Sequence, residues 1–161
     1  MRLALYEPDI PQNAGSLMRL GACLGVGIDI IEPCGFLLSD RNFRRAGMDY
    51  LKSADIRRHQ SSTQFRDEFA SQAGGRLVLL TTKGAMAYTD FAFSPADTLL
   101  VGRESAGVPD AVHASADAQL VIPLLPGLRS LNVAQAAAMV LGEALRQTSL
   151  FPKSGGFPGN A

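Results

Sequence analysis

The chain has 161 residues, a length that suits one domain, and its 47% hydrophobic against 19% charged residues argue against global disorder. Fifteen Lys and Arg balance fifteen Asp and Glu, which excludes a basic coat for indiscriminate nucleic-acid binding but not a local basic patch. No apolar run is long enough to span a membrane, the start does not resemble a signal peptide, and Cys23 and Cys34 alone make neither a disulfide framework nor a zinc site, so we expect a soluble cytoplasmic α/β protein.

Short apolar runs alternate with helical patterns along the chain. In chain order, the predicted elements are strand Leu3–Tyr6, helix Ala14–Leu24, strand Gly27–Ile31, helices Asp40–Ala46 and Thr63–Ala73, strands Leu77–Thr81 and Thr98–Val101, helix Pro109–Ser115, strand Gln119–Ile122 and helix Leu131–Thr148. The predicted helix boundaries are N-caps at Asn13 and Ser62 and glycines just past the ends at Gly25, Gly47 and Gly74.

The alternation predicts a fold class. Several predicted strands are apolar at consecutive positions, as is typical of parallel strands buried on both faces. We therefore predict βαβ units in a mostly parallel sheet flanked by helices. We expect a single domain over residues 1–150 and a flexible tail, rich in Gly and Pro, over residues 151–161.

The segment from Arg41 to His59 is locally basic. Its six basic residues, set against Asp49 and Asp55, give a charge of six minus two, or +4. The six are Arg41, Arg44, Arg45, Lys52, Arg57 and Arg58. Two interpretations stay open: a solvated surface, or a surface for an anionic partner such as RNA, to which Arg would supply bidentate phosphate contacts.

Familiar catalytic motifs are missing from the sequence. There is no P-loop, no complete dinucleotide fingerprint and no Gly-x-Ser-x-Gly elbow. His59 and His113 lie far apart, outside any metal-ligand spacing, and we predict surface or structural roles for both. Ordinary hydrolases, NAD enzymes and zinc enzymes are thereby disfavoured, and we expect no metal.

Three segments, each where a strand or helix meets an irregular loop, could carry chemistry. The first spans residues 7–19, where helical geometry turns Arg19 about 200° from Leu17 and hence away from its own core, toward solvent, a ligand or another subunit. The second spans residues 99–109, a buried strand followed by a glycine-containing loop, which is either a ligand loop or a plain turn.

The third segment spans residues 120–134. Ser130 or Asn132 could cap the last helix, and either could also hydrogen bond a ligand there. That helix is apolar on almost every side, so we expect it to be buried on all sides, either in a subunit interface or in the core of a monomer.

Together the three segments resemble the motifs of the SPOUT superfamily of RNA methyltransferases, over nearly the whole chain. The closest likeness within it is to the small TrmL-type enzymes that methylate the 2′-hydroxyl of cytidine or uridine at tRNA position 34. The resemblance is carried by six motifs: Leu5-Tyr6-Glu7-Pro8 with Ile10-Pro11-x-Asn13-x-Gly15 and Arg19; Ile31-Glu32-Pro33-x-Gly35-Phe36; Arg44-Arg45-Ala46-Gly47-x-Asp49-Tyr50; Thr81-Thr82-Lys83-Gly84; Gly102-x-Glu104-x-x-Gly107-Val108-Pro109; and Ile122-Pro123 through Arg129-Ser130-Leu131-Asn132.

The resemblance implies a fold and a cofactor. It implies a C-terminal trefoil knot, whereas sequence reasoning alone gives an unknotted doubly wound sheet. It also implies that the cofactor is S-adenosylmethionine, bent among three loops. The cofactor-binding residues carried over by position are Leu80, Gly102, Glu104, Gly107, Ile122, Ser130 and Leu131.

The resemblance further implies a wobble-nucleotide ribose 2′-O-methyltransferase, with leucine tRNAs as expected substrates. Its catalytic residues would be Arg19, Ser130 and Asn132, in an active site built across a homodimer. The anticodon stem-loop would contact Arg41, Arg44, Arg45, Arg57, Arg58 and Lys83. Two alternatives stay open: a 2′-O-methyltransferase for another RNA, and a non-catalytic RNA-binding dimer on the same scaffold.

Overall fold

The computed structural model describes residues 1–37, 54–71 and 74–153. Within these ranges the strands are β1 Arg2–Tyr6, β2 Gly27–Ile31, β3 Ile56–His59, β4 Leu77–Leu80, β5 Met86–Ala87, β6 Thr98–Val101 and β7 Ala118–Val121. The α-helices are α1 Pro11–Leu24, α2 Ser62–Ala70, α3 Asp110–Ser115 and α4 Val133–Thr148, and a 3-10 turn covers Tyr88–Asp90. None of the described helices combines the length and apolar content needed to cross a membrane.

The seven described strands form one parallel sheet in the order β3-β2-β1-β6-β4-β7-β5. Strand β7 lies between β4 and β5, although β4 and β5 follow one another in the chain, so their connection must pass over β7. It passes closely, because a Cβ added to Gly84 would lie 2.7 Å from the carbonyl carbon of Leu120. This crossing is compatible with the trefoil knot, which stays a prediction.

Both faces of the sheet are covered by helices. On one face α1 and α4 pack together, and Leu17, Val140 and Leu141 join the buried cluster around the strands. On the other face Phe65 of α2 and Val112 of α3 pack against Tyr6. The predicted class, a parallel sheet flanked by helices, is therefore confirmed.

The five predicted strands are present within one residue of the predicted bounds, but β3 and β5 were not predicted. Strand β3 reads Ile-Arg-Arg-His and pairs with β2 at the edge of the sheet, with Arg57 and Arg58 exposed and His59 buried. An edge strand needs fewer apolar residues than a central one, so the sequence of β3 lacks the apolar run by which the other strands were predicted. Of the two roles predicted for His59, surface or structural, the structure supports the structural one. The His59 ring is buried and lies 2.9 Å from the buried Asp29 carboxylate.

Two of the predicted helix caps are wrong. Helix α1 starts at Pro11 after Ile10, so Asn13 lies inside the helix and its side chain does not cap it. Ser61, not Ser62, caps α2 by accepting from the Gln64 N–H. Gly25 ends α1 in the left-handed conformation (φ 68°), as predicted, whereas α2 ends at Ala70 and leaves Gly74 beyond its terminus. The predicted helix Asp40–Ala46, Gly47 and the tail from residue 154 onward lie outside the described residues.

Candidate active site

A cavity of about 710 Å³ lies at the carboxyl ends of β4, β6 and β7. The residues that follow these strands, Thr81, Gly102 and Ile122, line it together with residues 128–133 of the loop before α4. Parallel sheets bind ligands at this edge, and the volume is typical of a small-molecule site.

The residues predicted to bind a cofactor meet in this one cavity. Those that line it are Leu80, Gly102, Glu104, Gly107, Ile122, Ser130 and Leu131, with Asn132 beside them. They come from three segments that are far apart in the chain, and the strand order brings those segments together. The binding roles themselves stay predictions.

The second loop, residues 102–107, folds back on itself. Arg103 and Gly107 exchange two backbone hydrogen bonds of 3.0 and 2.9 Å. A Cβ on Gly102 would come within 2.6 Å of the Gly107 carbonyl carbon, and Gly107 has φ +67°. Both positions therefore require glycine: Gly102 because of the close backbone approach, and Gly107 because of its left-handed conformation.

Hydrogen bonds join the second loop to the first. The Glu104 carboxylate accepts from the Asn13 side-chain amide (2.9 Å) and from the Asp9 backbone N–H (3.3 Å). The Asp9 carboxylate accepts in return from the backbone N–H groups of Glu104 (3.1 Å) and Ser105 (3.3 Å) and from the Ser105 hydroxyl. Burial raises the pKa of Glu104, whereas hydrogen bonding with Glu104 lowers the pKa of Asp9. Glu104 is therefore the member of the pair that takes up a proton first.

The third loop is joined to the same network. The Asn132 amide nitrogen donates to the Asn13 side-chain oxygen at 3.0 Å. Its oxygen accepts from the N–H groups of Ala134 (2.9 Å) and Gln135 (3.4 Å), so Asn132, rather than Ser130, caps α4. Asn13 thus contacts side chains from both other loops, a role that its predicted place as a helix cap did not indicate.

Three charged side chains from the described part of the chain line the cavity: Arg103, Glu104 and Arg129. Arg103 forms an ion pair with Glu7, a largely buried carboxylate whose backbone has φ 42°. Among the residues that the structure describes, Arg129 is exposed and has no hydrogen-bond or ion-pair partner. Neither arginine was a predicted site residue, although Arg129 belongs to the sixth motif and Arg103 lies between the motif residues Gly102 and Glu104.

Arg19 is separated from the cavity within one chain. It is exposed on α1 and does not line the cavity, whereas Asn13 of the same helix does. Six residues of helix turn Arg19 about 240° around the axis from Asn13 and carry it about 9 Å along. One protomer alone therefore does not bring the predicted catalytic arginine to the predicted cofactor residues.

The predicted RNA-binding residues are only partly described and are spread along the sheet. Arg57 and Arg58 lie on the edge strand β3, where Arg58 pairs with Glu32 at 2.8 Å. Lys83 follows β4, four strand positions away, which corresponds to about 19 Å. Arg41, Arg44 and Arg45 lie outside the described residues.

The chain is similar in sequence and in structure to known RNA methyltransferases. The sequence profile of the SpoU rRNA Methylase family matches residues 1–142. A tRNA (cytidine(34)-2'-O)-methyltransferase of Beijerinckia indica is 66% identical over 151 residues, which cover 94% of each chain. A solved structure concerned with the 2-OH methylation of C/U34 on tRNA superimposes with a TM-score of 0.86 at 40% identity, covering 91% of this chain and 94% of that one. The SpoU methyltransferase AviRb from Streptomyces viridochromogenes, in complex with the cofactor AdoMet, gives a TM-score of 0.83 at 29% identity, covering 91% of this chain and 60% of that one.

Proposed function

The chain belongs to the SpoU rRNA methylase family, and we propose that it transfers a methyl group from S-adenosylmethionine to the ribose 2′-hydroxyl of the cytidine or uridine at position 34 of tRNA. The observation that carries the proposal is the single cavity into which three separate loops bring the motif residues. The Beijerinckia indica relative and the solved structure concerned with C/U34, each matched over more than 90% of both chains, are named for methylation at position 34, which supports this site over another RNA target. With tRNA as substrate, the proposed location is the cytoplasm.

The cavity has the chemistry that S-adenosylmethionine requires. Its apolar lining, including Leu80, Val101 and Ile122, suits the adenine ring. Backbone groups around the glycine positions 102 and 107 can approach a flat ligand closely because no side chain intervenes. Leu80, Gly102, Ile122, Ser130 and Leu131 would hold the cofactor, mainly through backbone groups.

In the proposed mechanism the chain aligns the ribose and helps its hydroxyl to lose a proton. When bound, the cofactor supplies an already activated methyl group on a sulfonium. The protein's tasks are therefore alignment and exclusion of water. Arg19 would hold the neighbouring phosphate and stabilise the developing alkoxide, since a guanidinium keeps its proton in proteins and is a poor base. Ser130 and Asn132 would orient the ribose or Arg19, and Glu104 would order the second loop.

The proposed active form is a homodimer in which Arg19 of one protomer completes the cavity of its partner. The separation of Arg19 from the cavity in a single chain supports this arrangement. Exposed Met139 on α4, a helix with an apolar and alanine-rich sequence, supports a subunit contact there.

The anticodon stem-loop is the proposed RNA partner, with leucine tRNAs as the proposed substrates. Arg41, Arg44, Arg45, Arg57, Arg58 and Lys83 are the proposed contacts. In a dimer, residues of the two protomers can form parts of one RNA surface. The arginines of β3 and Lys83 can therefore both contact the RNA although they lie far apart within one chain. Reversing the charges of Arg44 and Arg45 should weaken RNA binding and leave cofactor affinity unchanged.

The test is methyl transfer from labelled S-adenosylmethionine to a leucine tRNA anticodon stem-loop. The matched control is the same stem-loop with a 2′-deoxyribose at position 34, which lacks only the acceptor hydroxyl. We expect incorporation into the first and none into the second. Equal incorporation would move the reaction to another nucleotide, and RNA binding without cofactor binding would favour the non-catalytic dimer.

A further inference from the structure

One cation of the cavity lining has no partner among the described residues, which indicates an anion-binding position. Of the three charged side chains that the described residues bring to the cavity, Glu104 is held by Asn13 and the Asp9 backbone, and Arg103 is paired with Glu7. Arg129 lines the same cavity without a partner among the described residues. An arginine that lines a cavity and has no carboxylate of its own is suited to bind the carboxylate or phosphate of a ligand.

We propose that Arg129 binds the carboxylate of the amino-acid portion of the cofactor, an inference that rests on the proposed function. The carboxylate is the only anionic group of S-adenosylmethionine, which otherwise carries an ammonium and a sulfonium. Arg129 directly precedes Ser130 and Leu131, two residues predicted to hold that cofactor, and all three line one cavity. A carboxylate in the cavity would therefore lie beside the segment that carries the guanidinium.

The opposite charge in the cavity suits the rest of this ligand. Glu104 comes from the second loop and Arg129 from the third, so two different loops bring opposite charges to the cavity. A zwitterionic amino-acid group, with an adjacent sulfonium, is complementary to such a pair. Arg103 is a poorer candidate for the carboxylate, because binding a ligand there would require giving up the ion pair with Glu7.

The same guanidinium chemistry could serve an RNA phosphate, and the experiment separates the two sources. Calorimetry would compare S-adenosylhomocysteine, which has the amino-acid portion, with 5′-methylthioadenosine, which keeps the adenosine and thioether and lacks that portion. The proteins are the wild type, Arg129→Gln and Arg103→Gln, the last being a matched control that also removes an arginine from the cavity lining. Anisotropy with a labelled anticodon stem-loop measures RNA affinity of the same proteins.

We expect Arg129→Gln to weaken S-adenosylhomocysteine binding about tenfold, as loss of one charge-assisted hydrogen bond predicts, and to leave 5′-methylthioadenosine binding unchanged. Arg103→Gln should leave the ratio of the two affinities at the wild-type value. The assignment is overturned if Arg129→Gln lowers both affinities equally or neither, and also if it lowers only RNA affinity, which would assign the anion site to a phosphate. Wild-type protein that binds neither nucleoside would refute the proposed function itself, an outcome distinct from failure of the Arg129 assignment alone.

Discussion

The side-chain amide of Asn132 donates a hydrogen bond to the side-chain oxygen of Asn13, 3.0 Å away and 119 positions earlier in the chain. Asn13 in turn donates to Glu104 at 2.9 Å. Both side-chain amides therefore donate through their nitrogen and accept through their oxygen, since the Asn132 oxygen accepts from backbone N–H groups at the start of α4. One asparagine thus fixes the spacing of the three loops around the cavity, and the network makes the cavity's shape depend on all of them.

Replacing Asn13 with Ala should loosen these loops. The change removes two hydrogen bonds, one of them to a carboxylate, and should cost about 1–3 kcal/mol of unfolding free energy. For a chain of this size that corresponds to a melting temperature lower by roughly 2–12 °C. The measurements are thermal unfolding and S-adenosylhomocysteine affinity, with Gln12→Ala, an exposed neighbour on the same helix, as control. If the two variants behave alike, the Asn13 network does not organise the cavity.

Glu104 should make the protein's stability depend on pH in a specific direction. Burial raises its folded-state pKa above the ordinary 4.5, so the folded protein binds this proton more tightly than the unfolded chain does. Its contribution to stability is therefore complete below pH 4.5 and is lost as the pH rises through the raised pKa. Asp9 has the opposite dependence, because its lowered pKa makes its contribution disappear as the pH falls through that value.

Glu104→Gln isolates the Glu104 effect. The amide stays neutral and can keep the bond from Asn13, so the variant should gain stability relative to the wild type as the pH rises above 4.5. Urea unfolding between pH 4 and 7 measures the difference, and Glu104→Ala, which loses the hydrogen bonds at every pH, is the control. A difference between wild type and Glu104→Gln that stays constant over this range would show that the Glu104 pKa is not raised by folding.

Gly102→Ala and Gly107→Ala should have different effects on the second loop. The new methyl group at Gly102 would meet the backbone of Gly107 at 2.6 Å, so the loop must move and cofactor binding should be lost. At Gly107 a Cβ has no neighbour within 4 Å, so the cost is the strained conformation alone, about 1–2 kcal/mol. Calorimetry with S-adenosylhomocysteine and thermal unfolding distinguish the two. Unimpaired binding by Gly102→Ala would place the cofactor away from this loop.

Much of the fold could be predicted because burial on both faces leaves continuous apolar runs in central strands such as Leu77–Leu80. Edge strand β3 could not, since Arg57 and Arg58 face solvent and carry no apolar signal. Nor could the strand order, in which β7 enters between β4 and β5, because no local pattern records which strands become neighbours.

The location of the cavity was predictable where a motif residue follows a strand end, as Gly102 and Ile122 do. The site was not predictable where function depends on pairing between distant side chains. Sequence shows Arg103 and Arg129 as equivalent cations; only the fold shows that Glu7 neutralises the first and that the second has no partner among the described residues. Asn13 was assigned to a helix cap for the same reason, since its partners Glu104 and Asn132 are remote in the chain.

The proposed sharing of Arg19 between protomers predicts that two inactive variants restore each other. Arg19→Ala should abolish most methyl transfer while leaving cofactor affinity intact, because Arg19 lies away from the cavity of its own chain. Gly102→Ala should abolish transfer by preventing cofactor binding. In a mixed dimer of the two, one of the two active sites combines an intact arginine from one protomer with an intact cavity from the other.

A dimer assembled from differently tagged Arg19→Ala and Gly102→Ala chains should therefore recover about half of the wild-type rate per dimer, since one site of two is complete. Each homodimeric variant, purified through the same two tags, is the control. No recovery in a mixed dimer that forms normally would mean that Arg19 serves the cavity of its own chain. Because the folded chain holds Arg19 apart from that cavity, the result would then require α1 to move when RNA binds.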